Sequence, residues 1–389
     1  MKPITNLEKN TDIELFIESI AFGGRGVAHL NEQVVFVKDA IPGQTVLSRI
    51  LKKHSSFLEA RKLEVIKESK HFIEPKCNHF NDCGGCTFQN FNYSEQLINK
   101  ESQVKEIFGR IGRFPNVSVM PIIQCENIYQ YRNKMEFTFS NRRWILKDND
   151  PGLNKNFALG LHISGRYDKI LNIEHCDLQL KEANNILSMI RSECISNNLE
   201  PYDIKNHRGF LRHLVIRTGQ NTDEIMVNFV TSIEKPDFLK PIAENLVKRF
   251  SNITSIVNNI NTKKAGIAFG EWEILLSGRN FIIEKLDDFE FEISANSFFQ
   301  PNTLQALKLY EIIRNECSLT KDNIVYDLYC GTGSISIFIA NQVKAVYGFE
   351  LISQAIENAE KNLLRNQVKN VQFFCGDLKN LLKKNSEIQ

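Results

Sequence analysis

The 389-residue chain has no apolar run long enough to span a bilayer, and its N-terminus, MKPITNLEKN, lacks the apolar core of a signal peptide. A cytoplasmic location with no membrane partner is the expectation that follows. Charge of one sign is scarce too. Lys and Arg number 48 against 46 Asp and Glu, a net of +2, so any grip on nucleic acid must come from local patches and not from a global field. Internal repeats and low-complexity tracts are absent. So are two nucleotide signatures, the three-glycine G-x-G-x-x-G of dinucleotide folds and the Gly-Lys-Ser/Thr phosphate loop. Nine cysteines are present, but uneven spacing in a reducing compartment speaks against a disulfide framework. The 42% hydrophobic and 24% charged fractions are ordinary, and the length suits two or three domains.

The stretch from Ile324 to Glu350, IVYDLYCGTGSISIFIANQVKAVYGFE, reads as strand, glycine turn, helix and second strand. Ile324 to Tyr329 is a β-branched and aromatic run suited to a buried strand of a parallel sheet. Gly331 and Gly333 allow a tight turn and a close backbone approach to a ligand, and Ser334 to Ala340 continues as an apolar helix. Val346 to Phe349 forms the next strand. Glu350 ends it, where a carboxylate can accept both hydroxyls of a ribose.

Upstream, Thr11 to Lys67 alternates in the strand period through IELFIESI, VAHL, VVFV, VLSRIL and LEARKLEVI, with turn signals at GGRG and IPGQ. Five short strands in so few residues predict a small closed, OB-like barrel. Lys52, Lys53, Arg61 and Lys62 flank Phe57, a pairing of charge with an aromatic that suits single-stranded RNA. In CNHFNDCGGCTFQ, Cys77, Cys83 and Cys86 have the spacing C-x5-C-x2-C. Three thiolates need a fourth ligand: His79 would complete a zinc site, and distant Cys176 could complete an iron-sulfur cluster, with spacing alone leaving both open. NYSEQLINKESQVKEIFGRI is an amphipathic helix with Ser94 as its N-cap, and YRNKMEFTFS, FALGLHIS, LRHLVIRTG and EIMVNFVT are strands. Asn141 to Asn156 is expected to be a hairpin loop. Arg132 and Lys134 could contact phosphate. In FEISANSFFQPN, Pro301 opens a helix, and the Gln300 amide can donate to a carboxylate and accept from an ammonium.

The pattern DLYCGTGSIS resembles the first motif of class I S-adenosylmethionine-dependent methyltransferases, where the glycine turn faces an amino acid and a ribose. GGRGVAHL followed by VVFVKDAIPGQTV looks like a TRAM domain. Together with the cysteine cluster, YRNKMEF and SFFQPN, the whole chain resembles the RNA 5-methyluridine methyltransferases, most closely the branch that methylates 23S ribosomal RNA. A tRNA enzyme and a non-catalytic RNA-binding iron-sulfur protein are the alternatives. The resemblance implies three parts: a barrel over residues 1–69, an α+β central domain over 70–290, and the Rossmann-like α/β methyltransferase domain, incomplete, over 291–389. It implies a 4Fe-4S cluster on Cys77, Cys83, Cys86 and Cys176. It also implies an S-adenosylmethionine site lined by Gln300, Tyr329, Gly331, Glu350 and Asp377, RNA as partner, and a monomer.

In that family a cysteine thiolate adds to uracil C6 so that C5 can attack the sulfonium methyl, and a general base then removes the C5 proton. The base must first leave its stack, and Phe298 is a candidate to stack on it. The family's SCNPxT nucleophile motif, the glutamate after it and the DPPR-type loop have no counterpart here, and Ser334 stands where some members carry asparagine. Cys330 and Cys375 are poor substitutes on the cofactor side. The chain therefore reads as C-terminally truncated, without catalytic residues, inactive alone, and with an open apolar edge on its first methyltransferase strand that leaves the last domain poorly ordered.

Overall fold

The computed structural model describes residues 9–146, 154–264 and 266–384. They fall into two compact units, Met1–Glu126 and Asn127–Gln389. The first unit is built on a six-stranded sheet of β1 (Asp12–Phe16), β2 (Ser19–Ile20), β3 (Gly26–Leu30), β4 (Gln33–Lys38), β5 (Thr45–Lys53) and β6 (Phe57–Lys67). Their order is β1-β5-β6-β4-β3-β2. IELFIESI, expected as one strand, is bent at its middle. Ile17 N–H bonds back to Gln44 O on the β5 side, while Glu18 N–H bonds to Val27 O of β3. One segment thus borders both ends of the sheet and curls it round on itself. Alternate residues fill the interior, among them Leu15, Ile17, Val35, Val37, Val46, Ile50 and Leu58, each contributing about 1.5–3 kcal/mol by leaving water.

Residues 70–126, expected in the central domain, fall in the same compact unit and pack with this sheet. Phe91 joins Ile20 and Ile41 in a small core, and Gln103 of α1 (Tyr93–Glu106) donates to Ile20 O at 2.7 Å. The N-cap of α1 is Asn92, whose side chain accepts from Ser94 N–H, and not Ser94 itself. The helix ends in a π-helical turn, Ile107–Ile111.

The second unit opens with a seven-stranded sheet among the described residues. Its strands are β7 (Lys134–Ser140), β8 (Ala158–His162), β9 (Ile170–Asn172), β10 (Leu211–Thr218), β11 (Ile225–Thr231), β12 (Ile253–Ile260) and β13 (Trp272–Gly278). Helices α2 (Lys181–Ser196) and α3 (Lys240–Arg249) accompany it. Every residue of β10 and β11 is buried. Part of the loop expected at Asn141 to Asn156 lies outside the described residues.

A hairpin of β14 (Phe281–Leu286) and β15 (Phe289–Ser294) leads into α4 (Thr303–Glu316). Then β16 (Ile324–Leu328), α5 (Ser334–Ile339), β17 (Ala345–Glu350), α6 (Ser353–Arg365), β18 (Val371–Cys375) and α7 (Leu378–Lys384) alternate. The three strands are parallel, in order β16-β17-β18, joined by helical crossovers as a Rossmann-like α/β layer requires. Among the described residues β16 forms one edge of this sheet, the open apolar edge expected of the first methyltransferase strand, with Ile324 and Leu328 each 47% exposed.

Candidate cofactor site

The chain leaves β16 through a turn of unusual backbone. Tyr329 has φ +67°, Gly331 φ +56° and Gly333 φ +73°. Left-handed geometry is free for glycine but strained for a bulky residue, and Tyr329 is 75% exposed, so no packing explains it. The two glycines serve different needs. A Cβ on Gly333 would lie 2.4 Å from the Phe373 ring, whereas one on Gly331 would meet nothing within 4 Å. Gly333 exists for packing. Gly331 faces open space, a cradle that a side chain would fill.

Glu350 closes the far side of the turn. Its Oε2 accepts Gly331 N–H at 3.2 Å, and its Oε1 accepts the N–H groups of Leu351 (2.8 Å) and Ile352 (3.0 Å). The carboxylate is fixed in direction, with acceptor capacity left on Oε2. Beneath the turn, Asp327 accepts the Ser336 hydroxyl at 2.6 Å, and burial raises its carboxyl above the usual range. Ser334 shares a hydrogen bond with the Tyr310 hydroxyl at 2.8 Å. Burial, reinforced by Asp327 and Glu350, pushes the Cys330 thiol up to about 12, so it is a neutral thiol at pH 7. Asp377 is exposed and caps α7, accepting Asn380 N–H at 3.1 Å.

The segment before α4 is held from behind. Buried Arg217 of β10 donates to the carbonyls of Ala295 and Ser297, and burial lowers its guanidinium to about 10, still charged at pH 7. Asn358 of α6 donates to Ser297 Oγ at 3.0 Å. Asn133 donates to Gln300 O at 2.8 Å. Phe299 joins the core with Cys330, and Phe298 turns outward, 68% exposed. Asn302 caps α4 by accepting Gln305 N–H, so the helix opens at Thr303 and not at Pro301. Of the two basic residues noted beside Asn133, Lys134 pairs with Glu136 and Arg132 N–H bonds Leu178 O. The sequence reading passed over Asn133 itself. Its signal was faint but real: Asn133, Met135 and Phe137 share one face of an alternating strand, so a polar amide falls on the buried side.

In the first unit, Lys52, Lys53 and Arg61 are exposed, and burial lowers the pKa of Lys62. Phe57 is half-buried, stacked on His54 at 4.2 Å and edge-on to Phe36 at 5.3 Å. A cleft of about 850 Å³ runs past Phe36, Phe57, His29 and Arg110. In the cysteine loop each sulfur accepts an N–H: Cys77 from His79 (3.4 Å), Cys83 from Gly85 (3.4 Å) and Cys86 from the Gln89 side chain (3.3 Å). Cys176 is buried in the second unit. Among the described residues no group of three or more His, Cys, Asp or Glu side chains is arranged to hold a metal ion.

A family profile described as tRNA (Uracil-5-)-methyltransferase matches residues 240–379. An uncharacterized RNA methyltransferase of Chlorobaculum tepidum is 39% identical over 344 residues, covering 87% of this chain and 71% of its own length. The chain belongs to the RNA uracil-5-methyltransferase family. A second relative in this family, an uncharacterized RNA methyltransferase of Porphyromonas gingivalis, is 37% identical and covers 94% of this chain and 80% of its own length. Among solved structures, the Pyrococcus abyssi tRNA (uracil-54, C5)-methyltransferase in complex with S-adenosyl-L-homocysteine superposes with a TM-score of 0.71 at 25% identity. It covers 94% of this chain and 80% of that one. Membership makes the protein an RNA methyltransferase by class.

Proposed function

We propose that this chain binds S-adenosylmethionine at the Gly331 turn and serves methylation of uracil C5 in RNA, with 23S ribosomal RNA as substrate. The observation that carries the reading is the left-handed Gly331, open above, whose N–H is tied to the Glu350 carboxylate. When bound, S-adenosylmethionine supplies a methyl group on a positively charged sulfur. The residues do the rest: Glu350 receives ribose hydroxyls through Oε2, Tyr329 borders the nucleoside, and Gln300 meets the amino-acid end. Asp377 contributes from the end of β18 if it yields its capping bond.

Neither Cys330 nor Cys375 is the nucleophile in this reading, because the first is held as a neutral thiol and both lie on the donor side of the sheet. RNA is gripped by the barrel, a TRAM-like module of OB type, through Lys52, Lys53, Arg61 and Phe57. The thiols of Cys77, Cys83 and Cys86 hold a 4Fe-4S cluster, with Cys176 put forward by resemblance as the fourth ligand. The N–H groups directed at the three loop sulfurs support this, since such bonds stabilise thiolate ligands. The protein acts in the cytoplasm as a monomer.

Calorimetry with S-adenosylhomocysteine tests the core of this reading. Binding that Glu350→Ala weakens about tenfold supports it, and absence of heat sinks it. A tRNA substrate is the second reading, favoured by the likeness to the Pyrococcus enzyme. Methyl transfer to unmodified 23S and tRNA transcripts decides between them. RNA binding without product under those conditions leaves a non-catalytic RNA-binding protein.

A further inference from the structure

Gln300 sits in a segment whose backbone is fixed by residues far away in sequence. Asn133 gives its backbone N–H to Pro301 O at 2.9 Å, and its side-chain amide to Gln300 O at 2.8 Å and Thr303 Oγ1 at 2.9 Å. Thr303 passes its own proton to Glu284 Oε2 at 2.8 Å. Glu284, fully buried, is further held by the N–H groups of Gln220 (2.7 Å) and Asn221 (3.0 Å). The start of α4 does not need Asn133, because Asn302 already caps it. Two consecutive carbonyls taken by one buried residue do something a cap does not: they set the direction in which the Gln300 side chain leaves the backbone. A backbone fixed in advance spares a ligand the cost of ordering this segment when it meets the Gln300 side chain.

We propose that Asn133, braced by Thr303 and Glu284, is a positioning residue for Gln300 and sets the preference for a donor with an intact amino-acid tail over thioadenosines that lack one. This rests on the assignment of Gln300 to the amino-acid end of the cofactor.

Calorimetric titration of the 389-residue chain with S-adenosylhomocysteine and with 5′-methylthioadenosine tests it. Asn133→Ala and Gln300→Ala should each lose about tenfold in affinity for the first ligand, keep affinity for the second within about twofold, and give no further loss when combined. Thr303→Val, which keeps the side chain's shape, should fall between them and the parent, and it stands in if Asn133→Ala does not fold. Equal weakening of both ligands, or of neither, in Asn133→Ala and Thr303→Val overturns the proposal and leaves these residues a purely structural part. A parent chain that binds neither ligand overturns the cofactor reading itself. Normal binding by Gln300→Ala overturns the proposal, because Asn133 then has no ligand contact to position.

Discussion

At the scale of single residues, the two glycines of the turn make opposite demands. Gly331→Ala must adopt φ +56° but meets no neighbour, so it should lower stability by only about 1 kcal/mol while filling the space above the turn and abolishing S-adenosylhomocysteine binding. Gly333→Ala drives a methyl group into the Phe373 ring and should cost about 2–4 kcal/mol in a urea titration. Full binding by the Gly331 variant would show that the ligand lies elsewhere. His213 makes a different kind of residue-scale demand. It is buried on β10, 3.3 Å from Thr138 Oγ1, and burial, aided by the neighbouring Arg212 charge, lowers its ring from 6.5 to about 4. The unfolded chain takes up a proton below pH 6.5 that the folded chain excludes until about pH 4. Stability is therefore complete above that window and declines as pH falls through it. From pH 7 to pH 5 the loss should be about 2 kcal/mol in urea midpoints, and His213→Gln should flatten the slope.

At the scale of elements, the 295–303 segment depends on β10 more than on its own strand or helix. Arg217→Met leaves the Ala295 and Ser297 carbonyls without their donor, and the segment should loosen, with faster amide exchange at Ser297 and a stability loss of about 2–4 kcal/mol. Unchanged exchange would mean that Asn358 and Asn133 suffice to hold it. Those long connections mark the limit of what the sequence disclosed. Strict alternation marked β3 to β6, and the glycine turn with Glu350 marked β16, α5 and β17, since each of these is written in adjacent residues. The bend at Ile17 and Glu18 was not legible, because either half continues the same alternation and only pairing on opposite sides divides them. The clamp on Gln300 was not legible either. Asn133 lies 167 residues from Gln300 and 170 from Thr303, and no local period relates such positions. The apolar composition of β16 suits a buried strand on its own, and its exposed edge depends on which neighbours it has.

At the scale of the molecule, the residues proposed to grip RNA and those proposed to bind the donor belong to separate compact units. Lys52→Ala with Lys53→Ala should reduce RNA affinity and flatten its salt dependence, while leaving S-adenosylhomocysteine affinity unchanged, as independent sites require. A matching loss of donor binding would contradict that independence. Iron and sulfide analysis of protein purified without oxygen belongs to this scale as well. About four of each per chain is expected, and zinc or no metal would refute the cluster.

The bare flank of β16 has a practical consequence. Ile324 and Leu328 present greasy contacts along a sheet border, a surface on which strands of other copies can settle. Concentrated samples should turn turbid, with scattering that climbs as the solution is made denser. Ile324→Lys should keep it clear, making crystallisation trials and shelf life the first places where this border makes itself felt.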